Sequence, residues 1–281
     1  MRPDCLAVLG LGALGGSLAW RARLAGIPRV IGFSPEPAQA VEALKAGAIT
    51  EIADRADKTG RQAQLVVLAT PPRTTMGLLP RVAPRLPPDA LVMDLAGVKT
   101  PVLECAASNG LADRFVGTHP MAGNAFGGFA EASADRFRGA IVYVTPGPSP
   151  AAYQAARQVM AFWEHTLEAQ PVLTDAPRHD RQVAWTTQLP QAVASALAAT
   201  LAGSGIPGVS FGEGARAMTR LAAQDPGLTL ETLLLNREAV AEALVRTEGR
   251  MQRLRELLLA GDAGALRVFL EAGSDFRQSL D

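Results

Sequence analysis

The sequence predicts an α/β fold: a doubly wound parallel sheet over residues 1–173, followed by an all-helical region over 174–281. Three observations carry this reading. Short apolar runs alternate with helical stretches through the first region, a glycine turn joins the first run to its helix, and beyond Thr174 the apolar spacing is helical with no further β-rich run. Strands covered on both faces read as continuous apolar runs, so parallel pairing is expected.

Residues 6–9 (LAVL) are the first such run, and Gly10-Leu11-Gly12-Ala13-Leu14-Gly15 follows with the spacing G-x-G-x-x-G. The first glycine allows a tight turn, the second lets backbone approach a pyrophosphate, and the third lets the helix from Ala13 pack on the sheet. Phosphates would then meet free N–H groups at a helix N-terminus. Gly10, Gly12, Ala13, Leu14 and Gly15 are therefore candidate cofactor-binding residues. Three glycines at this spacing also arise by chance. Here a strand precedes them, a helix follows, and a second strand, Arg29–Phe33, comes at the distance of a βαβ unit.

At the end of that second strand a carboxylate would hold the adenosine ribose hydroxyls and repel a 2′-phosphate. The chain has Ser34-Pro35-Glu36 there. Ser34 removes the repulsion and favours NADP, yet no arginine follows it directly; Glu36 supplies the acid if the loop folds back, favouring NAD. The cofactor is thus NAD or NADP.

Residues 37–46 read as a helix stopped by Gly47, and 65–69 (LVVLA) as a strand ended by Thr70-Pro71-Pro72 where a loop passes over the dinucleotide. Residues 91–95 form another strand and lead to Gly97 and Lys99. Ligands bind at the carboxyl ends of such strands, so Thr70, Gly97 and Lys99 are expected to face the cleft. The alternative for Lys99 is a solvated loop lysine. Residues 115–117 run into Thr118-His119-Pro120-Met121-Ala122-Gly123-Asn124. His119 lies at a strand end before glycine-containing backbone, and histidine is the natural general base near neutral pH, although a loop histidine is more often an ordinary polar residue.

Residues 140–144 read as a strand, and 150–163 as an amphipathic helix capped by Ser149 with Pro150 at its first position. His165 suits the C-terminal end of that helix, and Leu173 closes the region. Beyond it, 181–201 and 228–259 read as long helices, broken by 203–214 and Gly261. Helices apolar on more than one face need close packing or a partner chain, so a homodimer is expected. Arg216 and Arg220 lie one turn apart; either suits a surface charge, or a bidentate carboxylate clamp if turned inward.

Lys+Arg and Asp+Glu both number 27, so no general field favours nucleic acid or an acidic membrane. Cys5 and Cys105 lack metal-ligand or redox spacing, and three histidines are too scattered for a zinc site, so no metal is expected. The apolar run that follows Arg2 imitates a secretion signal, but cleavage there would destroy the glycine turn. A cytoplasmic protein without a targeting segment or fused regulatory domain is the expectation.

Taken together, Gly10 to Ser17, 94–99 (DLAGVK), 117–123 (GTHPMAG), His179-Asp180 with Ala184 and Leu189-Pro190, and 219–222 (TRLA) with Asn236 resemble the prephenate and arogenate dehydrogenase family of tyrosine biosynthesis. The likeness runs in order over nearly the whole chain. It implies a Rossmann-like dinucleotide-binding domain, a helical dimerisation and substrate domain, and NAD(P)-dependent oxidative decarboxylation of a small cyclohexadienyl acid, prephenate or arogenate. His119 matches the family's catalytic histidine and Arg220 its substrate-carboxylate arginine; Gln188, Gly97 and Thr118 fall at substrate-binding positions. The chain departs from the family at Gly97, where a serine is frequent, and at Thr187-Gln188-Leu189-Pro190-Gln191, where many members read Ser-His-Leu-Pro-His. Gln188 can hydrogen-bond a substrate side chain but carries no charge, which lends arogenate support, while prephenate stays first. The rivals are another Rossmann and helical-domain dehydrogenase, or an inactive cofactor-binding regulator. A hydroxyacid dehydrogenase would place a catalytic lysine in the helical region, and no lysine follows Lys99.

Overall fold

The computed structural model describes residues 2–122 and 127–280. Gly123 and Asn124, at the end of the His119 segment, lie outside the described residues. The elements of the first half run β1 (Cys5–Leu9), α1 (Ala13–Leu24), β2 (Arg29–Phe33), α2 (Pro37–Lys45), β3 (Glu51–Ile52), α3 (Ala56–Thr59), β4 (Leu65–Leu68), α4 (Pro72–Val82), β5 (Leu91–Asp94), α5 (Thr100–Ser108), β6 (Phe115–Pro120), β7 (Ile141–Pro146), α6 (Pro150–His165) and β8 (Gln170–Leu173). They build one eight-stranded sheet in the order β3-β2-β1-β4-β5-β6-β7-β8.

The order reverses beside β1, so the carboxyl ends of β1 and β4 bound a switch-point crevice. Alternation along β1 explains its unbroken apolar run. Leu6 and Val8 join one buried cluster with Leu18 of α1 and Phe162 of α6, while Cys5, Ala7 and Leu9 join another with Leu79 of α4 and Val102 of α5.

The sequence predicts a parallel sheet, and the structure departs from it at one pair: β6 and β7 pair antiparallel, with His119 opposite Tyr143. Between them the described residues carry only a short 3₁₀ turn, Phe129–Glu131, in place of a crossover helix, and a parallel return needs such a crossover. The α6 crossover then sets β8 parallel to β7. Neither β3 nor β8 is legible as an apolar run, because both lie at sheet edges and are largely exposed. Ser149 caps α6 as expected, its hydroxyl accepting from Ala152 N at 3.0 Å.

The helices continue as α7 (Ala176–Val183), a π-helical turn (Ala184–Gln188), α8 (Leu189–Ala202), α9 (Glu213–Thr219), α10 (Pro226–Leu235), α11 (Arg237–Ala260) and α12 (Ala263–Gln278). The long helices expected over 181–201 and 228–259 are each interrupted, by the π turn and by Asn236. Neither break interrupts the apolar composition that suggested the long helices.

The chain divides into two compact units, Met1–Asn236 and Arg237–Asp281. The first holds the sheet and α7 to α10; the second is α11 and α12, joined through Gly261 in the left-handed region, with Asp262 capping α12. Large apolar side chains of the second unit, including Met251, Leu259, Val268 and Phe276, are exposed. Among the described residues, no helix is long and apolar enough to cross a membrane.

Candidate functional site

The cofactor side of the site is made by strand ends. Gly10 N donates to Phe33 O at 2.8 Å and Ala69 N to Leu9 O at 2.8 Å, which gathers Gly10, Ser34 and Thr70 at one end of the sheet. Gly10 has φ +100°, and a Cβ there would collide with Ala69 O; a Cβ on Gly15 would collide with Gly10 O. Gly16 is required for a reason the sequence hid: its Cβ would fall 2.6 Å from the Phe129 ring. In front of Gly12 a Cβ would meet, among the described residues, only Gly128 N, at 3.8 Å. Gly12 is also the N-cap of α1 and supplies no side-chain cap, and Ala13 and Leu14 begin the helix with no acid in its first turn. An open approach to uncapped helical N–H groups fits the pyrophosphate of a dinucleotide.

Ser34 is largely buried, and its hydroxyl accepts from Glu36 N at 3.2 Å. That bond turns the chain so that Glu36 becomes the N-cap of α2, its carboxylate accepting from Gln39 Nε2 at 2.6 Å. Thr70 shares its hydroxyl with Thr75 at 2.8 Å.

The reactive side lies on β5, β6 and the loop between β5 and α5. Lys99 does not face the cleft, nor is it a solvated loop lysine. It is fully buried, donating to Asp94 Oδ2 at 2.5 Å and to Thr118 O at 2.7 Å. Burial pushes the Asp94 carboxyl up and the Lys99 amine down, and their attraction opposes both shifts. Thr118 is likewise buried and bonded internally: Asp94 Oδ1 accepts its N–H at 3.1 Å, and its buried hydroxyl donates to Asp94 O. Alternation along β6 gives the reason, since the neighbours Thr118 and His119 must point to opposite faces.

His119 is partly buried, and its Nδ1 lies 2.9 Å from His179 Nε2 with the two rings edge to face. On its other side, Nε2 would be 3.6 Å from a Cβ at Gly97. His179 is fully buried on α7, and its Nδ1 lies 2.8 Å from Asp180 Oδ1. The Asp180 carboxylate sits on the N-terminus of α5, accepting from Lys99 N and Thr100 N, each at 2.8 Å. Burial, then the neighbouring His179 and Lys99, holds the His119 imidazole well below the usual histidine value of 6.5, against the opposing pull of Asp180.

Gln188, at the end of the π turn, is buried; its amide oxygen accepts from Asn236 Nδ2 at 2.6 Å and its nitrogen donates to Thr232 O at 3.3 Å. Asn236 Nδ2 also donates to Asp180 O at 2.8 Å, which ties Gln188 to the segment carrying His179. Gln191 donates to Leu221 O at 2.8 Å and so anchors the turn that Arg220 begins. Arg220 itself is exposed and forms no ion pair among the described residues.

The structure therefore assembles Gly97, His119, His179 and Asp180, and separately Gly10, Gly12, Ser34 and Thr70. Sequence reasoning had treated His179 and Asp180 only as parts of a motif. No local signal marks their contact with His119, sixty residues away. The result is an imidazole with a lowered pKa and one nitrogen directed at Gly97: an arrangement suited to taking a proton from a bound substrate.

Residues 19–170 match the model for the prephenate dehydrogenase nucleotide-binding domain, and residues 175–272 match that for the prephenate dehydrogenase dimerization domain. The prephenate dehydrogenase of Bacillus subtilis is 30% identical over 99% of this chain and 76% of its own length. The cyclohexadienyl dehydrogenase of Zymomonas mobilis is 29% identical over 98% of this chain and 95% of its own. Among solved structures, the Aquifex aeolicus prephenate dehydrogenase in complex with hydroxyphenyl propionate and NAD+ superposes with a TM-score of 0.92 at 27% identity, covering 99% of this chain and 98% of that one. Synechocystis arogenate dehydrogenase superposes with a TM-score of 0.82 at 26% identity, covering 99% and 100%. With a nucleotide-binding sheet, a helical region matched to the dimerization model, and a buried histidine chain at the strand ends, the protein belongs to the prephenate dehydrogenase family.

Proposed function

We propose that the protein is a homodimeric, NAD(P)-dependent dehydrogenase that oxidatively decarboxylates prephenate or arogenate, with prephenate first. The observation that carries the reading is His119 Nε2 facing Gly97, past the carboxyl end of a strand parallel to the one that leads into the glycine turn, with burial lowering the pKa of the imidazole. The ring hydroxyl of the substrate gives its proton to Nε2, which needs the imidazole to arrive neutral. The nicotinamide, when bound, supplies the hydride acceptor. Loss of the ring carboxylate as CO₂ leaves its electron pair in the ring and aromatises it. The protein's task is accordingly to position the ring and take the proton. Gly10, Gly12, Ala13, Leu14 and Gly15 hold the pyrophosphate through backbone, with Thr70 and Ser34 at the flanking strand ends. Arg220 supplies the cation for a substrate carboxylate.

Between the two cofactors we favour NAD. What supports this is that the Ser34 hydroxyl is engaged by Glu36 N, and that the charged residue following the second strand's end in this turn, Glu36, is an acid rather than a cation. The nearby cations that follow β3 are held in ion pairs, Arg55 with Asp57 and Lys58 with Asp54.

Nicotinamide reduction measured with prephenate and arogenate, each with NAD and with NADP, tests the proposal. Turnover with prephenate and a higher kcat/KM for NAD are expected; absence of turnover in all four combinations, with cofactor still bound, would overturn it. Preferential turnover of arogenate would reverse the substrate order. A Glu36→Gln variant should narrow the NAD preference, and an unchanged ratio would remove Glu36 from cofactor selection. Arg220→Ala should raise KM for the cyclohexadienyl acid more than it lowers kcat, since it removes a binding cation and leaves the base in place. A normal KM would mean that another cation holds the carboxylate.

A further inference from the structure

With both imidazoles neutral, the hydrogen bonds among His119, His179 and Asp180 form a chain with one consistent proton assignment. Asp180 accepts from two backbone N–H groups at the N-terminus of α5, where the helix dipole favours its charged, acceptor-only form. The Nδ1 of His179, 2.8 Å from Asp180 Oδ1, must therefore carry a proton and donate it. A neutral imidazole has a single N–H, so His179 Nε2 is left as an acceptor. The atom 2.9 Å away, His119 Nδ1, must then be the donor. This leaves the lone pair of neutral His119 on Nε2, the nitrogen that faces Gly97.

We propose that His179 is a positioning residue that holds His119 in the Nδ1–H tautomer, with Asp180, anchored on the N-terminus of α5, setting the direction of the chain. This rests on the reading of His119 as the general base. His179 touches no opening, being fully buried, and so cannot pass a proton to solvent; its contribution is orientation and tautomer. The groups that face the pair come from each packed element. Asp180 lies on α7 itself, the Lys99 ammonium acts from the loop before α5, and Tyr143 of β7 lies edge to face against the His179 ring at 5.5 Å. Gln182 donates to the Tyr143 hydroxyl at 2.5 Å, which fixes that ring in turn. A contact serving only to pack α7 on the sheet would not need this donor order.

The chain contains three histidines, His119, His165 and His179, so protein labelled with ¹⁵N-histidine gives a spectrum small enough to assign by substitution. Through the neutral pH range, His119 is expected as Nδ1–H with an unprotonated Nε2, and His179 likewise as Nδ1–H. His119 found as the Nε2–H tautomer would overturn the proposal, with or without turnover. In a His179→Phe variant the His119 signals should become a mixture of tautomers, and kcat should fall roughly 10–100-fold, the size typical for losing the orienting partner of a functional histidine, with KM values near those of the parent. His179→Gln, whose amide oxygen can accept from His119 Nδ1, should restore the single tautomer and most of kcat. Retention of the tautomer and of kcat in His179→Phe would overturn the proposal as well. The unsubstituted protein's spectrum decides the tautomer even if a variant fails to fold. It does so whether or not any cyclohexadienyl acid is turned over, so failure of the tautomer lock and failure of the proposed function are separately visible.

Discussion

Exchanging His119 for asparagine is expected to lower kcat by roughly 10²–10⁴-fold, the usual value of a positioned general base, while the dinucleotide still binds. Asparagine can keep the bond to His179 from the Nδ1 side, so the chain from Asp180 survives and the loss isolates Nε2. Steady-state kinetics together with cofactor titration by fluorescence check it: an unchanged kcat would remove His119 from the mechanism, and lost cofactor binding would point to a disturbed sheet edge. The same site predicts the pH dependence. Burial and the nearby His179 and Lys99 lower the pKa of His119, so the active, neutral form persists below pH 6.5. The acid limb of kcat/KM should accordingly fall at lower pH than for an unperturbed histidine, and a limb at or above 6.5 would contradict the assigned environment.

A Lys99→Met variant should lose about 3–5 kcal/mol of folding stability at neutral pH, because it leaves the fully buried Asp94 without its cation. The pair links β5 to β6 directly beneath His119: Lys99 Nζ also donates to Thr118 O, and Asp94 accepts from Thr118 N. Asp94 already has its pKa raised by burial, and without Lys99 nothing charged opposes that shift. In the variant the folded state therefore binds a proton that the unfolded chain releases above its ordinary carboxylate range. Its stability deficit should shrink as pH falls toward about 4. Denaturant titrations at neutral and at mildly acidic pH check both statements, and a loss under about 1 kcal/mol would show that solvent reaches Asp94.

Several features were legible before any coordinates because their causes are local. The run Cys5–Leu9, the glycine turn and α1 follow from residues adjacent in the chain, and so do Ser149 capping α6 and the strand end before Thr70, whereas β6 runs on through Pro120 and holds His119 inside the strand rather than past its end. Other features depend on neighbours the sequence does not name. The antiparallel β7 follows from a missing crossover helix, and the edge strands β3 and β8 have too little burial to show an apolar run. Gln188 is a substrate contact only by the family resemblance; that Asn236 and Thr232 hold its amide is a tertiary fact.

By itself, then, the sequence determined a dinucleotide-binding sheet with a following helical region, and it singled out His119. Periodicity, glycine spacing and strand ends record such things within a few residues. Only the tertiary structure decided that Lys99 is buried against Asp94, that Thr118 turns inward, and that His179 and Asp180 stand behind His119. The bonds from His119 to His179, and from Lys99 N and Thr100 N to Asp180, join segments brought together by the sheet and the packing of α7 on α5. A bond that spans sixty or eighty residues leaves no periodic trace in the chain that makes it.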